Sequence, residues 1–177
     1  RLHEETHDVL RAAQARYGRR VQVWFPQAGA LQELLARDGA NGFLDSVEQR
    51  KACCTVRKVE PLARALAGAR AWITGLRAGQ SAARAGLPAR ETDSVHGLEK
   101  FNPLHDWTGA QVWDYARSHA VPVNALHARF FPSIGCAPCT RAVTPGEDPR
   151  AGRWWWEQGG AQECGLHPVR LPPSTRP

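Results

Sequence analysis

The apolar positions of the chain change period several times, and each change predicts an element. Between Glu4 and Tyr17, the residues Val9, Leu10, Ala13 and Tyr17 share one helical face, and Gly18 stands where such a helix would stop. Val21 to Phe25 (Val-Gln-Val-Trp-Phe) alternates and then meets Pro26, which predicts a short strand. Leu31 to Arg37 returns to the helical period, with Gly39 placed to close it. Pro61 to Ala67 predicts a helix with Pro61 near its first turn and Gly68 past its end. Ala71 to Thr74 predicts a buried strand, and Leu98 to Asn102 another. Thr108 to His119 is the best-marked helix, with Thr108 and Gln111 as a capping pair and Val112, Tyr115 and Ala116 as its apolar face. Helix and strand alternate, so the pattern predicts an α/β domain. Open α/β sheets place ligands beyond the carboxyl ends of their strands, which draws attention to Gly75-Leu-Arg77. After Pro122 the chain reads as irregular, and the three prolines within Leu171–Pro177 predict a disordered tail.

Composition narrows the class. The chain has 177 residues, 42% hydrophobic and 23% charged, as ordinary globular domains have. No apolar run is long enough to span a membrane, and the polar, acidic start does not read as a signal peptide, so a cytoplasmic location is expected. Methionine is absent and Arg1 opens what reads as a helix, which suggests a fragment that has lost its natural beginning. The formal charge of +6 favours an anionic ligand. No Lys/Arg block and no basic–aromatic alternation point to nucleic acid.

The five cysteines fall into an adjacent pair, Cys53-Cys54, a Cys136-Ala-Pro-Cys139 motif and a lone Cys164. Without secretory features this is not a disulfide framework; four plus one suggests a metal site and a reactive thiol. Thiolates suit zinc, copper(I) or iron–sulfur clusters, and spacing alone does not separate them. Adjacent side chains tend to diverge, which a polynuclear cluster tolerates better than a single ion.

Six segments in order carry a resemblance. They are Lys51-Ala-Cys-Cys-Thr-Val-Arg-Lys-Val-Glu-Pro-Leu62, Ile73-Thr-Gly-Leu-Arg77, Lys100-Phe-Asn-Pro-Leu104, Pro132-Ser-Ile-Gly-Cys-Ala-Pro-Cys-Thr-Arg141, Gly152-Arg-Trp-Trp-Trp-Glu157 and Glu163-Cys-Gly-Leu-His167. Together they resemble the assimilatory sulfonucleotide (APS/PAPS) reductases, and more narrowly the bacterial type acting on adenosine 5′-phosphosulfate (APS). The resemblance implies a pyrophosphate-loop, Rossmann-like adenine-nucleotide-binding fold. That family's Ser-Gly-Gly-Lys-like loop, with its strand, would precede the point where this chain begins. It further implies a sulfonucleotide-binding domain over residues 1–157 and a mobile segment over 158–177 that carries the catalytic Cys164.

By the same resemblance, Cys53, Cys54, Cys136 and Cys139 are the ligands of a [4Fe–4S] cluster that supports the site without donating electrons. Relatives using the 3′-phosphorylated substrate (PAPS) generally lack these four cysteines. Lys58, Gly75, Arg84, Arg150, Arg153 and Trp154 are expected at the substrate, with Arg57 a weaker candidate. Guanidinium groups suit phosphate and sulfate because they form paired hydrogen bonds. His167 is expected either to stabilise the Cys164 thiolate or to cap a turn. The implied reaction is thioredoxin-dependent reduction of APS to sulfite and AMP through an S-sulfocysteine. Partners are then APS and thioredoxin, with homo-oligomerisation left open and neither nucleic acid nor membrane expected. The alternatives are PAPS reduction, a zinc-stabilised interaction module and a cluster-bearing tRNA-thiolating enzyme.

Overall fold

The computed structural model describes residues 1–81, 84–157 and 163–167. Its described residues divide into two compact units. One is drawn from Arg1–Val23 and Gly109–Gln162, the other from Trp24–Thr108 and Glu163–Pro177. Most of the segment expected to be mobile, 158–177, lies outside the described residues, as does the Pro-rich tail.

The first unit holds α1 (Glu4–Tyr17) and, in chain order the last helix, α5 (Gly109–Ser118). Helix α1 ends as expected, with Gly18 in the left-handed region at φ 60°. On α5, Val112 and Ala116 are half-buried, but Tyr115 is 48% exposed and stacks on His119 instead of facing a core. Short 3-10 turns at Ala125–Arg129 and Ala137–Cys139 follow, in the stretch that reads as irregular. The buried Leu126 and Trp154 anchor this unit's core.

The second unit holds α2 (Ala28–Asp38), closed by Gly39, then a nearly continuous helical run. Helix α3 (Val47–Cys54) widens into a π-turn over Thr55–Val59 and resumes as α4 (Glu60–Leu66). The predicted helix at Pro61 is therefore only the end of this run. Helix α3 has few apolar residues to signal it, and its start is set by Ser46, whose hydroxyl accepts from the Gln49 amide at 3.1 Å.

Three strands form a mixed sheet in the order β1-β3-β2: β1 (Ala71–Ile73), β2 (Arg90–Asp93) and β3 (Leu98–Phe101). β1 runs parallel to β3 and β2 antiparallel to it. The expected burial of the first strand is corrected: β1 lies at the edge, and Ile73 is 75% exposed. β2, Arg-Glu-Thr-Asp, lacks the apolar alternation that would have announced it.

Val21–Phe25 is not a strand. No strand pairs with it among the described residues, and side chains meet its backbone instead. The Val21 amide donates to Gln14 Oε1 at 2.9 Å, and the Phe25 carbonyl accepts from Arg64. Alternation alone makes no strand where the ladder is missing.

Candidate active site

In the second unit, Cys54 is buried at the end of α3, and Lys58 follows it within the π-turn. The wider turn keeps residues four to five apart in line, so the Lys58 ammonium acts on the Cys54 thiol. Burial pushes that thiol up to about 11; Lys58 pulls it down, Cys164 pushes it further up, and Arg50 and Cys53 act more weakly. The lone cysteine and the helical pair, 110 residues apart in sequence, are thus electrostatic neighbours. Cys53 faces elsewhere, lining a small cavity with Leu34, Leu35, Phe43 and Arg57. The two adjacent thiols diverge, as their positions on one helix require.

The segment Glu163–His167 is held by several contacts inside the same unit. Arg84 donates to both carboxylate oxygens of Glu163, at 3.1 and 3.3 Å. Arg50, only 1% exposed, donates to the Glu163 carbonyl at 2.7 Å. The His167 ring stacks on Trp72, with centroids 5.5 Å apart. Burial first, then Lys100 and Arg84, hold His167 down at about 4, while Glu163 and Asp93 oppose them, so the ring is neutral near pH 7.

The sheet supplies the floor under that histidine. Strand register places Trp72, Lys100 and Glu91 side by side across the three strands. The Lys100 ammonium lies 5.4 Å from the Trp72 ring centre and 3.3 Å from Glu91. Beyond the carboxyl ends of β1 and β3, Thr74 donates to the wholly buried Asn102, which donates to the Pro88 carbonyl at 3.0 Å and to Glu91 at 3.1 Å. This network pins the loop that begins at Gly75, whose added Cβ would meet nothing within 4 Å.

Cys136, Cys139, Arg150, Arg153 and Trp154 belong to the first unit. There the cysteine loop is braced by the strand-like stretch Gly152–Trp154. Thr140 and Arg153 form an antiparallel bridge, the Arg141 amide donates to the Gly152 carbonyl at 2.9 Å, and the Trp154 amide to the Cys139 carbonyl at 3.2 Å. The Arg153 guanidinium, 7% exposed, donates to Ser133 Oγ at 3.3 Å and to the Ile134 carbonyl at 3.4 Å. It also fills the space beside Gly135, where a Cβ would come within 2.5 Å of it. Trp154, expected at the substrate, is 1% exposed and holds φ at 47°. Trp155, at 45% exposed, offers more ring surface. Asp148 and Glu147 serve local turns, accepting from the Arg150 and Thr144 amides.

All five thiols are free. Among the described residues, no three or more His, Cys, Asp or Glu side chains are gathered as a single metal ion would need. The donor set nevertheless fits an iron–sulfur cluster by its chemistry: two thiol pairs, with the thiols of the helical pair diverging and one of them buried.

Sequence reasoning missed Arg50, Trp72, Lys100 and Asn102. Two of them, Lys100 and Asn102, stand within a segment that carries the resemblance, but nothing in the local pattern marks a lysine or an asparagine as buried. No helix among the described residues is long and apolar enough to cross a membrane.

The chain is similar to known proteins over most of its length. The model of the phosphoadenosine phosphosulfate reductase domain matches residues 1–142. Adenosine 5′-phosphosulfate reductase of Allochromatium vinosum is 56% identical over 167 residues, which is 94% of this chain and 65% of that protein. The enzyme of the same name from Burkholderia cepacia is 53% identical over 173 residues, 98% of this chain and 69% of that one. Among solved structures, phosphoadenylyl-sulfate (PAPS) reductase from Candida auris, in a phosphate complex, superposes with a TM-score of 0.64 at 30% identity, covering 80% of this chain and 66% of that one. The chain thus spans about two thirds of the length of these relatives. On the domain match and the relatives together, the chain belongs to the phosphoadenosine phosphosulfate reductase domain family.

Proposed function

We propose that this chain carries the chemistry of a cytoplasmic, thioredoxin-dependent reduction of APS to sulfite and AMP, in sulfate assimilation and cysteine biosynthesis. The observation that carries this reading is the docking of Glu163–His167 against the turn bearing Cys54 and Lys58. It brings the segment that carries the free Cys164 thiol to the turn that carries Lys58, and a thiolate with a cation nearby is what attack on an anionic sulfuryl group needs. The relatives named for APS, at about half identity, favour APS over PAPS.

In this reading the Cys164 thiolate attacks the sulfate sulfur of APS. The sulfur–oxygen bond to the phosphate breaks and AMP leaves with its electron pair. A thioredoxin thiolate then attacks Cys164 Sγ, the bond to the sulfo group breaks, and sulfite leaves with the pair. Thioredoxin's second thiol resolves the mixed disulfide, so its dithiol supplies both electrons and Cys164 is restored.

Lys58 and Arg84 would bind the anionic groups of the substrate, with Arg150, and Gly75 would let the nucleotide approach the strand end. Arg153 and Trp154 would act through the loop they brace. Cys53, Cys54, Cys136 and Cys139 would hold a [4Fe–4S] cluster, which when bound supports the site without carrying the electrons. In the full-length protein, Cys164→Ser should lower sulfite formation from APS and reduced thioredoxin at least about a thousandfold. An unchanged rate would end this reading. In competition, APS should be consumed in preference to PAPS.

A further inference from the structure

The residue just before the expected nucleophile is held more firmly than a surface segment requires. Arg84 grips both oxygens of the Glu163 carboxylate from 79 positions away, and the two side chains are only 15% and 14% exposed. Arg50 holds the carbonyl of the same residue. On the other side of Cys164, Gly165 takes φ +85°, and a Cβ built there would stand 3.4 Å from Val59 of the π-turn. Cys164 therefore sits between an ion-paired residue and a glycine in the left-handed region that lies close to Val59.

We propose that Glu163 is a positioning residue: the Arg84–Glu163 pair, with Arg50 on the Glu163 carbonyl, clamps the backbone that presents Cys164 to the Cys54–Lys58 corner. The proposal rests on Cys164 being the nucleophile. One guanidinium nitrogen, Arg84 Nη2, is shared between the two Glu163 oxygens while Nη1 donates to Gln80 Oε1, so the arginine is held from both sides and its charge-assisted contact fixes where the carboxylate sits. Undocking the segment would leave a largely buried arginine without its carboxylate, a penalty that keeps the segment seated. Attack by a thiol gains from that seating because small misplacements of reacting atoms lower rates steeply.

The test is amide hydrogen exchange over residues 163–167 in the full-length protein, alongside steady-state kinetics with APS and reduced thioredoxin. Glu163→Gln should raise exchange at Cys164 and Gly165 about tenfold or more, with exchange in β3 unchanged as a control for folding. It should lower kcat at least about tenfold while KM for APS stays within about threefold. Glu163→Asp, which keeps the charge, should restore part of both. The swapped pair Arg84→Glu with Glu163→Arg should return exchange toward the parent value, whatever its effect on substrate binding. Exchange unchanged in Glu163→Gln would overturn the clamp, as would faster exchange with an unaltered kcat. Failure of the underlying reading looks different: Cys164→Ser would stay active while the exchange result held.

Discussion

The two cysteine pairs are held by opposite means. Cys53 and Cys54 stand on a helix whose own hydrogen bonds fix their backbone, and the π-turn beginning at the next residue supplies Lys58. Cys136 and Cys139 stand on a single 3-10 turn, and residues from elsewhere in the sequence hold it: Gly152 meets the Arg141 amide, and Arg153 reaches Ser133 and Ile134. The helical pair is a local product; the loop pair depends on a distant brace. Damage to the brace should therefore cost more than damage to single contacts around the helix.

Removing the thiols themselves should have the largest effect. Serine at Cys53, Cys54, Cys136 or Cys139 should abolish or severely reduce bound iron in anaerobically purified protein, whereas Cys164→Ser should leave about four irons per chain. Equal iron in all five variants would show that the pairs do not act together.

Next in size is Gly152→Ala. Its Cβ would fall 2.3 Å from the Arg141 carbonyl oxygen, a backbone atom that cannot swing aside. A destabilisation of about 3 kcal/mol is expected, read as a lowered Tm. Gly135→Ala should cost less, because the atom it meets is the movable end of Arg153.

A smaller effect follows from His167. The docked ring stays neutral down to about 4, while an undocked histidine takes a proton near 6.5. Between those values the undocked state binds more protons, so docking is fully stable above about 6.5 and weakens as the pH falls toward 4. Exchange over 163–167, corrected for its intrinsic pH dependence, should rise through that window, and His167→Gln should flatten the rise.

Gly75→Ala should be the mildest. Its Cβ has open space and its φ is not positive, so Tm should shift by less than about 0.5 kcal/mol in equivalent stability. A raised KM for APS would then report a ligand approaching that backbone.

What the sequence disclosed divides along the same line. Elements with their own period were legible: α1 and its Gly18 stop, α2 and Gly39, the strands near Ala71 and Leu98, and α5. Features depending on partners were not. Val21–Phe25 alternates yet has no ladder, and α3 and β2 are polar segments whose form comes from a cap at Ser46 and from pairing with β3. Of the candidate site, the residue types and their spacing were readable, including Cys164 and Lys58. The contacts Arg84–Glu163, Arg50–Glu163 and Trp72–His167 span long stretches of chain and leave no local pattern. Trp154 is 1% exposed, and no local pattern among the three adjacent tryptophans marks which ring is buried.

The most direct measurement is peptide mapping after the full-length protein is mixed with APS without thioredoxin. The peptide holding Cys164 should gain the mass of one sulfo group, discharged as sulfite when reduced thioredoxin is added. An adduct on any other cysteine, or sulfite released with no adduct on Cys164, would contradict the proposed nucleophile.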